Sequence, residues 1–387
     1  MVLPTGGRVG HCLSLIQKPH STSNEVFFVY NTFYIFSFLY RDFVSLCRMK
    51  KVLFTFLFLL IQQSICAQVG GERIFQFLNL STSARQVALG GEALTIMDDV
   101  NQGTWNPAAI NVDMDNQLSV NYTSYLSGIN LGSASFAKIV TRRFGVIHGN
   151  ITYVNYGTFI GADELGNETG TFSANDIAVS VGYAFNIPRS NFYLGANARF
   201  ITSNISSFTS TAIATDLALQ YYSPYKPYAF ALVVRNLGTQ ISTYTGTYEK
   251  LPLKIALGGS YQLEYVPLKW YVTIDNLQQW NLAVPNPSNQ TTNLQGTVTD
   301  ENINFLTNAF RHMVVGAELF PESVINLRVG YNFRRAAELK LQNVRTFGGI
   351  SFGFGIKMNR FKLNYAFSKY HSATDVGTFS LHIDLDR

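Results

Sequence analysis

From Asn116 to the end of the chain, apolar and polar residues alternate with a period of two. In Arg360–Tyr370, Phe361, Leu363, Tyr365 and Phe367 share one face, and Lys362, Asn364, Ala366 and Ser368 the other. Thr378–Asp386 repeats this, with Phe379, Leu381, Ile383 and Leu385 opposed to Ser380, His382, Asp384 and Asp386. Asn326–Arg334 sets Leu327, Val329, Tyr331 and Phe333 against Arg328, Gly330, Asn332 and Arg334. Successive strand residues point to opposite faces of a sheet, so each segment predicts a strand with one apolar and one polar side. A soluble antiparallel sandwich alternates too. Here the apolar face is rich in aromatics, and the polar face carries small residues and isolated charges, which suits lipid outside and a lumen within.

Candidate strands fall near 116–124, 131–140, 144–156, 172–186, 191–205, 211–222, 227–236, 252–264, 269–277, 312–320, 324–334, 346–358, 360–370 and 374–386. This predicts an all-β fold: a transmembrane antiparallel up-and-down β-barrel of about fourteen strands, since a sheet in a bilayer must close to pair every backbone donor. Short joins, such as Ile187–Ser190 and Met358–Arg360, read as periplasmic turns. Gly157–Gly170, Gly238–Leu251 and Gln278–Arg311 read as surface loops. The last is the longest and the candidate partner loop, with Trp280, Pro285, Pro287, Phe305 and Phe310 as its candidate contacts. Its second half could form a short helix with Ile303, Leu306 and Phe310 on one side.

Composition sharpens this picture. Charged residues make up 14% of the chain, against about 25% in ordinary soluble domains. Aromatics account for another 14%. The net charge of +5 is spread thinly, without the basic clusters of a nucleic-acid binder. All three cysteines, Cys12, Cys47 and Cys66, precede Ala67. Met49–Gln68 has the layout of a secretory signal: Lys50 and Lys51, the apolar run Val52–Ile61, then Ser64–Ala67 as a cleavage site between Ala67 and Gln68. Cys66 leaves a lipoprotein signal as the alternative. Residues 1–48 read as an upstream extension from a misassigned start, with an additional membrane anchor as the other reading. The expected organisation is therefore 1–48 extension, 49–67 signal peptide, 68–115 plug or hatch, and 116–387 barrel.

Little in the chain suggests bond chemistry. It has no nucleophile elbow, no histidine pair at metal-binding spacing and no phosphate loop, so the expectation is no catalytic residue, no metal and no cofactor. His148, His312, His371 and His382 are scattered, and His382 is expected to line a polar lumen. The glycines of Gly348–Gly355 alternate with apolar residues, as in a strand with small residues inward, not a dinucleotide loop. Asp98 and Asp99 read as helix caps or solvated charges before they read as a cation site. The chain ends Leu385-Asp386-Arg387, not in the aromatic residue that closes many outer-membrane barrels.

Between the signal and the first strand lies an ordered series: Gly70 and Gly71, Phe77 and Leu78, Ser83-Ala84-Arg85, Ala88-Leu89-Gly90-Gly91, Asp98-Asp99, and Asn106-Pro107-Ala108. It resembles the N-terminal signature of the PorQ family, outer-membrane components of the type IX secretion system of the Bacteroidetes. PorV and the FadL-type transporters are more distant relatives by fold, sharing the Asn-Pro-Ala element. Ser81 stands where the family usually has a proline. The resemblance implies a non-enzymatic barrel in the outer-membrane lipid that holds PorZ at the cell surface, in an attachment complex with PorU and PorV. From the residues themselves, 70–109 reads as a plug or as an extension on the periplasmic rim. As a plug, Arg85 would need an inward carboxylate such as Asp384 or Glu318. A FadL-like channel for hydrophobic small molecules is the second functional reading, and a barrel enzyme the third. The polar inward faces argue against the former, and the absence of a Ser–His pair argues against the latter.

Overall fold

The computed structural model describes residues 73–141, 145–283, 285, 290–292, 298–299, 301, 303–341, 347–370 and 374–386. The upstream extension, the signal region with Ala67 and Gln68, the pair Gly70–Gly71, Pro287 and His371 lie outside them. Fourteen antiparallel strands close into one barrel. They are β1 (Gln117–Ser124), β2 (Asn130–Thr141), β3 (Gly145–Ala162), β4 (Glu168–Asn186), β5 (Phe192–Ile205), β6 (Phe208–Tyr222) and β7 (Tyr228–Ser242). After β8 (Lys254–Gln262) and β9 (Leu268–Ile274), the longest connection holds the two-residue strands β10 (Thr291–Thr292) and β11 (Val298–Thr299), which pair with each other. The wall resumes with β12 (Met313–Leu319), β13 (Ile325–Asn332), β14 (Ile350–Met358), β15 (Phe361–Lys369) and β16 (Asp375–Asp384). The seam pairs Gln117 with Asp384 through Ser124 with Gly377, leaving no open edge.

The alternation explains which way each side chain points. In β13, Leu327, Val329 and Tyr331 are exposed on the outer wall, whereas Arg328, Gly330 and Asn332 are buried inside. In β14, Phe352 and Phe354 face outward and Ser351 and Gly353 inward. Rings pair across the outer face, as with Phe352 and Phe367 (centroids 4.9 Å apart) and Phe354 and Tyr365 (5.9 Å). Such an apolar, aromatic exterior on a closed sheet is a lipid-facing surface, and the chain is a transmembrane barrel of the outer-membrane type. Among the described residues no helix is long and apolar enough to cross a membrane.

Three element boundaries differ from the alternation-based expectation. Gly157–Gly170 is mostly ladder: β3 runs to Ala162 and β4 begins at Glu168, so the hairpin projects beyond the wall with only a short tip. Most residues there are exposed on both faces, which erases the apolar–polar alternation although the backbone pairing continues. β7 extends similarly to Ser242. The segment 324–334 stops as a strand at Asn332, whose side chain accepts a hydrogen bond from the Arg335 amide and starts a helix over Phe333–Glu338. All long connections emerge at one end of the barrel. The turns 187–191 and 359–360 lie at the other end with the start of β1 and the end of β16.

An outward position near mid-wall tests the lipid assignment. Val329→Arg should lower folding efficiency and stability in lipid vesicles by about 2–4 kcal/mol. Urea titration of the folded barrel, followed by its gel-mobility shift on heating, reads this directly; an unchanged midpoint would refute a lipid-facing Val329.

Candidate functional site

Residues 73–115 lie inside the barrel, most of them buried against the inward faces of its strands. They are mostly short 3-10 turns and extended chain, built from caps and not from helical periodicity. Asp99 accepts from the Asn101 amide, Asn106 from the Ala108 amide, and Asn111 from the Asp113 amide, each starting one turn. Pro107 sits in the first turn after Asn106, where its missing N–H costs nothing. Asn106 is fully buried and also donates to the Leu94 carbonyl (2.7 Å) and to Gln220 Oε1 on β6 (2.5 Å). One side chain thus shapes the turn, ties it to an earlier part of the plug and fixes it to the wall. The single α-helix of the segment, Ala84–Ala88, is buried along its whole length.

The plug starts at the loop end of the lumen and finishes at the turn end, doubling back to the loop end at Gly90–Gly91, and apolar clusters pack at successive levels. At the loop end Ile74, Phe75, Phe77 and Leu78 pack on Leu131, Val154, Ile201 and Leu251, with Tyr125, Tyr156 and Tyr244 alongside. Lower down, Leu94, Trp105 and Ala108 meet Ala218, Ala231 and Val233. At the turn end, Val100, Ile110 and Met114 meet Ala137, Val146 and Ala184. Small inward residues let the plug backbone approach the wall. A Cβ on Gly330 of β13 would lie 2.1 Å from the Gly90 nitrogen, and one on Gly195 of β5 would lie 2.2 Å from the Ala108 nitrogen. Gly90 and Gly91, at φ +95° and +100°, turn the chain after the helix. Ser81 is buried and donates to the Gly91 carbonyl at 2.7 Å, closing the loop around that helix.

Charges bind plug to wall at both ends. Towards the turn end Arg85 donates to Glu318 on β12 (2.8 Å) and to Asp98 within the plug (2.7 Å). Glu318 is inaccessible to solvent and also accepts from Arg328 on β13 (2.7 Å) and from the Tyr271 hydroxyl (3.1 Å). Asp98 faces Lys362 on β15 at 3.6 Å, and His382 on β16 stands 3.8 Å from Asp99. Towards the loop end Glu92 pairs with Lys254 of β8, which lies 3.6 Å from Asp275, and Asp275 accepts from Arg334 at 2.8 Å. Burial alone would raise the Asp98 carboxyl pKa, but the Arg85 guanidinium and then Lys362 outweigh it and hold it well below the usual carboxylate range. Glu92 is lowered in the same way, with Lys254 overcoming the effect of burial. Water still reaches Asp98, whose side chain is 56% exposed on the turn side of the lumen.

The series singled out in sequence thus comes together, apart from Gly70 and Gly71. Phe77 and Leu78 seal the loop end, Ser83 and Ala84 begin the buried helix, and the Ala84 amide donates to Ser380 on β16 (2.8 Å). Ala88 packs against Ala366, and Leu89 against Tyr271. Asp98 and Asp99 serve as an ion-pair partner and a helix cap. Trp280, Phe305 and Phe310 are exposed on the long connection, as is Pro285. Sequence reading did not single out Lys254, Glu92, Asp216 or Gly195. Asp216 holds Arg199 at 2.7 Å where the β6–β7 register shifts, and only the parity of an inward charge signals it. Among the described residues, no group of three or more acidic or histidine side chains is placed to hold a metal. A hollow of about 680 Å³ lies on the outer wall, lined by Leu194, Leu217 and Leu232, and faces lipid, not the lumen.

No family model and no curated protein matches the chain. Among solved structures, the barrel is similar to the toluene transporter TbuX of Ralstonia pickettii, with a TM-score of 0.48 and 10% identity over 79% of this chain and 98% of that one. It is also similar to a deletion mutant of the monoaromatic hydrocarbon channel TodX, with a TM-score of 0.45 and 12% identity over 80% and 98%.

Two substitutions test the lock. Glu318→Ala leaves Arg85 and Arg328 buried without their shared carboxylate, a loss of about 3–5 kcal/mol by the usual cost of breaking a buried pair. Its planar-bilayer conductance should rise above that of the unaltered barrel, as should that of Gly330→Val, whose side chain displaces Gly90; equal conductance in all three would mean the plug does not depend on these contacts. Because the Asp98 pKa is depressed, its stabilisation is complete above the ordinary carboxylate value and is lost only as pH falls through the lower folded-state value. The blocked conductance should therefore be the same at about pH 5 as at about pH 7; opening at the lower pH would contradict it.

Proposed function

We propose that this chain is a plugged outer-membrane barrel that works as a surface platform in type IX secretion. It holds PorZ within an attachment complex with PorU and PorV and carries out no bond chemistry itself. The PorQ-like series from Gly70 to Ala108 supports the family reading. The observation that carries the platform role is the two-ended ionic lock, Arg85–Glu318 below and Glu92–Lys254 above. A lumen filled and tied in this way leaves the loop face as the surface available for recognition. That face is extensive: the β3–β4 hairpin projects from it, and the described parts of the connection between β9 and β12 start and end on it.

Transport of hydrophobic small molecules is the second reading. It is favoured by the apolar cluster of Phe77 and Leu78 with Tyr125, Tyr156 and Tyr244 at the loop end, where a small apolar solute would find compatible walls. The ion-paired belt beneath, with Glu318 and Arg328 fully buried, opposes passage of such a solute through the lumen.

Deletion of the gene with tagged complementation separates the two. Loss of PorZ from the cell surface on deletion, and its recovery with the tagged barrel in an outer-membrane pull-down, supports the platform. Normal PorZ display together with failed uptake of a hydrophobic solute would replace the platform with the transporter.

A further inference from the structure

The helix Phe305–Arg311 on the long connection is inverted relative to a helix packed on a protein core. Its polar residues are inside. Asn308 is buried, donates to the Trp280 carbonyl, and accepts from the amides of Leu282 (3.2 Å) and Ala283 (3.1 Å). Arg311 is buried beside Glu301 at 3.6 Å. Its large apolar residues point out, with Phe305 at 69% exposure, Leu306 at 65% and Phe310 at 49%. Three such neighbours on one short helix are costly in water, since Phe305 and Leu306 leave most, and Phe310 about half, of an apolar side chain unburied.

The surface that completes this helix can be read from its neighbours. Phe310 stacks on Phe333 (5.4 Å), and Phe333 meets the ring of Tyr331 edge-on (4.8 Å). Tyr331 belongs to the outer face of β13, in line with the lipid-facing Val329 and Leu327. The apolar face of the helix is therefore continuous with the lipid-facing wall through an unbroken run of rings, at the loop end of the strands. Phe305 stacks on Trp280 (4.9 Å), adding a second aromatic at the same level. Aromatic side chains at the end of a transmembrane strand are where a barrel meets the headgroup layer, and an amphipathic helix there lies in the plane of the interface.

We propose that the helix Phe305–Arg311 is an interfacial anchor that beds Phe305, Leu306 and Phe310 in the loop-side leaflet of the membrane. This assigns the three residues to lipid and not to a protein partner, and it does not depend on the secretion role. The anchor holds the long connection down along one edge, and the Asn308 bonds fix which side of it turns to the protein.

A fluorophore placed on the helix decides this in vesicles that contain the purified barrel and no partner. The adduct of Leu306→Cys with an environment-sensitive nitrobenzoxadiazole label, corrected for labelling of the unsubstituted protein, should emit at shorter wavelength. It should also be quenched by lipids carrying a nitroxide near the headgroup. The same label on Leu165→Cys, at the exposed tip of the β3–β4 hairpin, should do neither. Emission from the Leu306 adduct matching that of the Leu165 adduct, with equal quenching by aqueous iodide, would overturn the proposal and leave the helix as a protein-docking face. Folding of both variants is checked by their heat-dependent gel mobility, and Phe310→Cys provides a second position if Leu306→Cys does not fold.

Discussion

The contact on which this architecture turns is the shared carboxylate of Glu318, which takes Arg85 from the plug and Arg328 from the wall. A charge on the inner face of a barrel has two stable environments: bulk water in an open channel, or a compensating charge in a filled one. Here the wall residues are buried, so the second holds. Arg328 and Glu318 face each other across adjacent strands, and Arg85 adds a second cation to a carboxylate already in use. Lys254 with Glu92 repeats the principle at the other end. The inward polar face, an open pore in many barrels, becomes in this chain a set of sockets for one specific segment.

Glycine placement is the steric counterpart of this charge matching. A plug made of turns presents backbone as much as side chain, and backbone can approach a strand only where the strand lacks a Cβ. Gly330 and Gly195 supply those places opposite Gly90 and Ala108. The wall thus carries two records of the plug: where its charges are and where its main chain passes.

The barrel was legible because lipid and lumen impose opposite demands on neighbouring residues, which gives every spanning strand the same period. All fourteen segments marked by that period are strands of the wall. The signal failed where its cause ends. The β3–β4 hairpin above the wall sees water on both sides, and the Asn332 cap diverts the chain from strand to helix while the apparent alternation continues into Phe333 and Arg334. The plug is legible as an irregular stretch whose Arg85 needs a carboxylate, which Glu318 supplies. Its remaining partners were hidden, since Lys254 and Gly195 look like any inward residue until the segment opposite is in place.

The seam between β1 and β16 has a consequence for biogenesis. The plug grips both of its sides: Asn101 donates to Ser119 on β1, and the Ala84 amide donates to Ser380 on β16. The first and last strands to be synthesised are thus bridged by a segment made before either of them. Such a bridge ties both edges of the last ladder to one segment. A chain whose early segment is damaged would therefore lose a contact on each side of the seam as well as its cork.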